Sequence, residues 1–276
     1  MLINGIDAEY INATDRGLAY GDGLFSTMKV EYGELQLWGF HLQRLQLGAQ
    51  KLFFPEIDWL QLSNEVKGVA KQLNDEKESV IKVIITRGSG GRGYSITGCE
   101  SPLRIISTSA YPSFYHQWQQ QGIELILCET IVSSNAMLAG LKTLNRLEQV
   151  LIKRELESKG AVEGIVCDNN GYVIEACSAN LFIFLNGVWQ TPKLELSGVA
   201  GVQRRNIIER AKQANIEIKQ TNINKDQLVD AEAICLSNAL MGLVPVKEFQ
   251  GREFDSNALK KCGVLQLLIS RGSEIE

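Results

Sequence analysis

Apolar residues recur along this chain with two periods, and the changes between them outline its elements. Leu2-Ile3-Asn4 and Glu9-Tyr10-Ile11 read as short strands on either side of a turn at Gly5. Residues 25–32 and 35–38 read as a hairpin around Gly33. Phe40, Leu45, Ala49 and Leu52 recur at helical spacing, as do Leu62, Val66, Val69, Ala70 and Leu73, which predicts helices over 40–53 and 59–73. Two β-rich runs follow at 80–86 and 103–109. The pattern breaks at Tyr111-Pro112-Ser113, and the polar residues 117–122 come next, so 113–122 is expected to be a linker.

Beyond it, a strand is expected at 123–128 and a helix through Leu144, Leu147, Val150 and Leu151 to about 158. A hairpin of 162–167 and 172–174 turns at Asp168-Asn169-Asn170-Gly171, whose Asn-Gly favours a tight turn. Strands at 181–185 and 233–236, a glycine-led helix from about 202 to 215 and a closing helix at 256–270 complete the reading. The expected organisation is an N-terminal α/β domain (1–112), the linker, and a larger C-terminal domain (123–276) that carries Lys142. There is no internal repeat.

Composition narrows the function. Of 276 residues, 45% are hydrophobic and 22% charged, as in a globular protein with a sizeable core. The net charge of −4 argues against nucleic-acid binding. No apolar run reaches membrane-spanning length, and Met1-Leu2-Ile3-Asn4-Gly5 lacks the plan of a signal peptide, so a cytoplasmic protein with no membrane partner is expected. Six scattered cysteines without a CxxC pair read as small buried hydrophobes. With only His41 and His116 present, a His-rich metal site is excluded and no metal is expected. Proton transfer in an enzyme built this way falls most naturally to a lysine.

Lys142 is the candidate. Asn145 followed by Glu148 fits a helix N-cap with its reciprocal partner, which leaves Lys142 outside the helix, between Leu141 and Leu144. There it can either snorkel to the surface or serve as a free amine for Schiff-base chemistry. Residues 15–25 form a glycine- and aromatic-rich loop, either a tight turn or a cover over a site. Arg87-Gly88-Ser89-Gly90-Gly91-Arg92-Gly93-Tyr94 lacks the Gly-Lys-Ser/Thr of a phosphate-binding Walker loop. It is either a flexible hairpin loop or one whose arginines meet an anionic ligand. The glycine-led helix entry at Gly201-Val202-Gln203 offers backbone N–H groups to an anion.

Together these motifs resemble the fold-type IV pyridoxal-phosphate enzymes, the group of branched-chain and D-amino-acid aminotransferases. Asp15-Arg16-Gly17-Leu18-Ala19-Tyr20-Gly21-Asp22-Gly23-Leu24-Phe25 is similar to the group's N-terminal signature, and His41-Leu42-Gln43-Arg44-Leu45 to its phosphate-arginine helix. Glu175-Ala176-Cys177-Ser178-Ala179-Asn180-Leu181-Phe182 is similar to its glutamate motif. Residues 87–94, 110–112, 142–149 and 237–240 resemble the branch of lyases that cleave aminodeoxychorismate.

The resemblance implies an α/β (α+β) two-domain, D-amino-acid aminotransferase-like fold, a homodimer with its site between domains, and pyridoxal 5'-phosphate as cofactor. It implies that Lys142 carries the cofactor and moves protons, that Glu175 bonds the pyridine nitrogen and that Arg44 pairs with the phosphate. Backbone groups at Val202 and Gln203 and the Asn238-Ala239 turn would complete the phosphate cup. Aminotransferases of the group often have a threonine where this chain has Ala239, so the contact there would come from backbone or from Asn238. Arg92 is the implied clamp for a dicarboxylate substrate, aminodeoxychorismate, with Thr27, Tyr94 and Tyr111 lining its pocket. The implied reaction yields 4-aminobenzoate, a folate precursor, and pyruvate. An aminotransferase acting on branched-chain or D-amino acids is the alternative on the same scaffold, and a catalytically silent cofactor- or anion-binding protein is the third reading.

Overall fold

The computed structural model describes residues 1–270; the last six residues of the expected C-terminal domain lie outside the described residues. The chain forms two compact units, Met1–Pro112 with Leu141–Arg146, and Ser113–Gly140 with the chain from Leu147 onward. Among the described residues no helix is long and apolar enough to cross a membrane.

The first unit contains, in chain order, β1 (Leu2–Ile3), β2 (Ile6–Asp7), α1 (Arg16–Tyr20), β3 (Gly23–Glu31), β4 (Glu34–Leu35), α2 (Trp38–Lys51), α3 (Trp59–Lys71), β5 (Glu78–Thr86) and β6 (Leu103–Ala110). Its strands form an antiparallel sheet in the order β2-β1-β6-β5-β3-β4. The second strand falls at 6–7 rather than at 9–11. Asn4 and Gly5 both take positive φ (49° and 79°), the two-residue turn that folds Ile6 directly back onto Ile3.

Strict alternation along β3 buries Leu24, Ser26, Met28 and Val30 on one face and leaves Phe25, Thr27, Lys29 and Glu31 half-buried on the other. The buried face meets Leu45 and Ala49 of α2, Leu62, Val66 and Ala70 of α3, and Ile81, Val83 and Ile85 of β5. Helix α2 approaches so closely at Gly48 that a Cβ there would lie 2.8 Å from the Leu24 side chain.

The lysine segment belongs to this unit by its contacts, not to the C-terminal half in which sequence order put it. The reason is β-pairing: Phe25 N–H donates to the Lys142 carbonyl (3.0 Å), Leu144 N–H to that of Gly23 (3.0 Å), and Thr143 bridges Leu24 antiparallel.

Asp22 anchors the same end of the unit. Its Oδ2 accepts Arg16 Nε at 2.9 Å and Arg87 Nε at 2.8 Å, all three groups being largely buried. Arg87 also donates to the carbonyls of Phe53 (2.8 Å) and Leu52 (2.7 Å).

The second unit contains α4 (Phe114–Gln121), β7 (Ile123–Leu127), α5 (Leu147–Ser158), β8 (Glu163–Cys167), β9 (Val173–Ala176), β10 (Asn180–Leu185), β11 (Val188–Pro192), α6 (Val202–Gln213), β12 (Ile218–Thr221), α7 (Lys225–Asp230), β13 (Ala233–Asn238), β14 (Gly242–Phe249), β15 (Arg252–Glu253) and α8 (Ser256–Ser270). Its mixed sheet runs β12-β11-β10-β13-β14-β7-β8-β9, with β15 beside β14. One core joins Phe182, Ile183 and Leu236 of the strands to Ile207 of α6 and Cys262 and Leu265 of α8. A second joins Ile152 and Leu156 of α5 to Cys128, Val166 and Ile174.

The stretch read as a linker, 113–122, is largely helix α4. Tyr115 and Trp118, three residues apart, pack onto the larger core, and Gly122 at φ 72° closes the helix. Helix α5 also departs from expectation. It begins at Leu147, because Asn145 donates to the Gly21 carbonyl and Glu148 accepts from Ser133 N–H instead of forming a capping box. Its buried side is Ile152 and Leu156, while Leu147, Val150 and Leu151 are 78%, 61% and 53% exposed.

Burial pushes the Asp22 carboxyl pKa up, but hydrogen bonds and charge from Arg87 and Arg16 win and hold it below its usual value. Its stabilisation is therefore complete above the unfolded pKa, about 4, and is lost as pH falls through the lower folded value. Asp22→Asn should cost about 1.5–3 kcal/mol at pH 7 and flatten the acid limb of stability against pH, both readable by urea unfolding at several pH values.

Candidate functional site

In the first unit, the half-buried Lys142 is fixed through its backbone. The β-like bonds to β3 hold one side of its peptide, and Arg146 holds the other. Arg146 Nε donates to the Thr143 carbonyl (2.9 Å), while Nη2 donates to the Leu141 carbonyl (3.0 Å) and Thr143 Oγ1 (3.2 Å). The Lys142 ammonium stands 4.3 Å over the Phe25 ring. Phe25 and Thr27 lie on the same face of β3, so the sheet brings Thr27 to the side that Lys142 faces.

Arg44, on α2, donates from Nη2 to the buried Ser26 hydroxyl at 2.7 Å. Burial and the nearby Arg146 pull its pKa down to about 10, which leaves it charged at neutral pH. A buried cation beside a second cation favours an anion, so this part of the first unit is built for negative charge.

Arg92 and Tyr94 are exposed on the glycine-rich loop, and Tyr111 is buried with its ring 4.8 Å from Lys29 Nζ. The loop is strapped rather than flexible. Arg16 Nη1 donates to the carbonyls of Gly93 (2.9 Å) and Ser95 (3.1 Å), and a Cβ on Gly91 (φ 67°) would lie 2.0 Å from the Ser95 carbonyl oxygen. Of the two loop arginines only Arg92 is available for a ligand, since Arg87 is buried on Asp22.

The second unit brings together the remaining candidates. Glu175 is buried on β9, where Oε2 accepts Val199 N–H at 2.9 Å and Asn180 Nδ2 at 3.4 Å; the same Nδ2 donates to the Val199 carbonyl at 2.8 Å. The segment so held runs into α6, whose N-cap, Gly201, supplies no side-chain cap. The leading N–H groups at Val202 and Gln203, both buried, are thus left for another acceptor. Asn180 faces Ser237 across the β10–β13 ladder, and the Ser237 hydroxyl is buried without a partner among the described residues. Asn238 follows, but its amide is already used. Oδ1 accepts Leu240 and Met241 N–H, and Nδ2 donates to the Ser178 carbonyl. Any anion contact from the Asn238-Ala239 turn would therefore come from backbone.

Cysteine chemistry does not compete. Burial drives the Cys128 and Cys177 thiols up to about 12, so both stay protonated and unreactive.

The family model for class IV aminotransferases matches residues 23–249, which include every candidate named above. The chain belongs to the class IV aminotransferase family. Within the family it is 36% identical to aminodeoxychorismate lyase of Vibrio harveyi over 91% of this chain and 92% of that protein. The crystal structure of 4-amino-4-deoxychorismate lyase from Pseudomonas aeruginosa superposes with a TM-score of 0.91 at 35% identity, covering 99% of each chain. A branched-chain-amino-acid aminotransferase of Escherichia coli is 28% identical over 81% of this chain and 72% of its own. The α/β fold expected from the motifs is thus the fold found.

Sequence reading passed over Arg146 as a mere helix residue and Ser26 as a strand residue. A polar residue at a core position of an alternating strand was the available signal for Ser26. Gly201 also matters more than its helix-entry role suggests, because a Cβ there would lie 2.0 Å from Asn180 Oδ1. Gly201→Ala should displace the buried Asn180 amide, lower stability by about 2 kcal/mol and loosen the Glu175 carboxylate. Thermal unfolding checks the first effect and cofactor retention on gel filtration the second.

Proposed function

We propose that this protein is a pyridoxal 5'-phosphate-dependent lyase that converts 4-amino-4-deoxychorismate to 4-aminobenzoate and pyruvate. What carries the reading is full-length likeness to lyases of Vibrio harveyi and Pseudomonas aeruginosa in a chain with a lysine fixed at position 142. The residues present suit the cofactor: Arg44 beside Arg146, the uncapped buried N-terminus of α6 and the unpartnered Ser237 hydroxyl all favour an anionic oxygen group. Arg44 and the N–H groups of Val202 and Gln203 would hold the phosphate, with backbone at Asn238-Ala239. Glu175 would bond the ring nitrogen and keep it protonated, and Lys142 would be the covalent tether.

When bound, pyridoxal 5'-phosphate supplies an electron sink for the carbon that bears the substrate amine. Lys142 then takes the proton from that carbon and returns it to the departing enolpyruvyl oxygen. A C–H and a C–O bond break, the ring becomes aromatic, and the enol leaves as pyruvate with no external oxidant or amino acceptor. Arg92 would pair with a substrate carboxylate, with Thr27, Tyr94 and Tyr111 around the ring.

The reading includes a homodimer, supported by the exposed apolar row Leu147, Val150 and Leu151 on α5, which a second copy would cover. It also includes a cytoplasmic setting, supported by six free thiols.

Offered aminodeoxychorismate without any keto acid, the enzyme should release pyruvate and 4-aminobenzoate in equal amounts. Borohydride should fix the cofactor to Lys142, and Lys142→Ala should lose nearly all turnover. Pyruvate release that requires an added keto acid would hand the chain to the aminotransferase reading. Arg92→Lys keeps charge but loses the planar fork, so kcat/KM should fall about ten- to a hundredfold while half-reactions with alanine, a small monocarboxylate, change little. Equal losses on both would make the loop a folding element.

A further inference from the structure

We infer that Ser26 and His41 form a one-directional hydrogen-bond relay that fixes the Arg44 guanidinium for an incoming phosphate, which makes both of them positioning residues for cofactor binding. The inference rests on the phosphate role proposed for Arg44. His41 and Arg44 are one turn apart on α2, and Ser26 lies across from them on the core face of β3. The Ser26 Oγ is 2.7 Å from both Arg44 Nη2 and His41 Nδ1. Ser26 and His41 are fully buried.

Hydrogen-bond counting sets the direction. A guanidinium only donates, so Oγ must accept from Arg44. If the Ser26 hydroxyl donates a hydrogen bond to Nδ1, His41 is the Nε2–H tautomer and leaves one buried group, Nε2, without a partner among the described residues. If Nδ1 instead carried the proton, both Nε2 and the Ser26 proton would be left unsatisfied, at additional cost. An imidazolium is disfavoured as well, because burial and the charges of Arg44 and Lys142 hold the His41 pKa well below its ordinary value. The relay therefore runs from Arg44 through Ser26 to a neutral His41.

Its use follows from a comparison with three other arginines of this unit, which carboxylates hold. Arg16 and Arg87 bind Asp22, and Arg104 binds Glu65. A carboxylate in that position orients a guanidinium but also offsets its charge. A hydroxyl backed by a neutral imidazole orients Arg44 without bringing any negative charge of its own. Holding the long side chain in advance also removes the ordering cost that binding would otherwise carry.

The test titrates full-length protein, stripped of cofactor, with pyridoxal 5'-phosphate and with pyridoxal, which has the same ring and aldehyde but no phosphate. Ser26→Ala and His41→Leu should raise the Kd for pyridoxal 5'-phosphate about five- to tenfold, as expected for loss of one pre-ordered contact, with the Kd for pyridoxal unchanged. His41→Asn, which can present an amide oxygen where Nδ1 stood, should recover most of the loss. In wild type, 15N NMR should show His41 neutral and protonated on Nε2 at pH 7. A parallel rise in both Kd values, no rise in either, or a proton on Nδ1 would overturn the relay. Arg44→Ala separates the two layers. If it leaves both Kd values unchanged, the phosphate role of Arg44 fails; if it weakens only the phosphorylated ligand while Ser26→Ala does not, the relay alone fails. Should His41→Leu not fold, Ser26→Ala and the NMR tautomer still decide.

Discussion

A lysine side chain can be placed reproducibly only if its stem starts from a fixed point, and for Lys142 that point is set by backbone hydrogen bonding. The Phe25 N–H to Lys142 carbonyl bond makes the lysine's peptide an extension of the β3 edge. Arg146 then ties down the carbonyls on both sides. The four-carbon side chain keeps its mobility while its root does not. Everything else in the first unit supports this arrangement: the buried face of β3 against α2 and α3, and Asp22 with its two arginines at the start of that strand.

Charge in the first unit is organised with equal economy. Arg44 and Arg146 lie close enough to lower the affinity of Arg44 for its proton, and Lys142 disfavours protonation of His41. Such a cluster is unfavourable in isolation and becomes favourable when an anion enters. In the second unit the opposite sign appears: Glu175 is buried, and its carboxylate is held in place by the Val199 N–H and the Asn180 amide.

Much of this could be read in the sequence wherever local pattern and tertiary demand agree. The alternation along β3, the face of α3 and the Asn170-Gly171 turn point the same way at every level. Sequence reading failed where a residue has two plausible partners. Asn145 and Glu148 have the spacing of a capping box, yet other backbone partners took both: the Gly21 carbonyl accepts from Asn145, and Ser133 N–H donates to Glu148. The spacing of Leu147, Val150 and Leu151 marks α5 as a helix but not its buried side, which is Ile152 and Leu156, because hydropathy alone does not say which row meets the core. The aromatic pair Tyr115 and Trp118 was hidden by the glutamines around it. The candidate site residues stand out in the sequence as motifs, whereas Arg146 and Ser26, whose contacts arise only from the fold, do not.

The strap on the glycine-rich loop bears on how this scaffold diversifies. Arg16 grips carbonyl oxygens, which every residue possesses, rather than side chains. The course of the loop is therefore encoded largely by the glycines and by a distant arginine, with the Tyr94 ring resting 5.6 Å from that of Tyr20. A loop whose shape is insured from elsewhere is free to exchange its exposed side chains, one substitution at a time, without passing through an unfolded intermediate sequence.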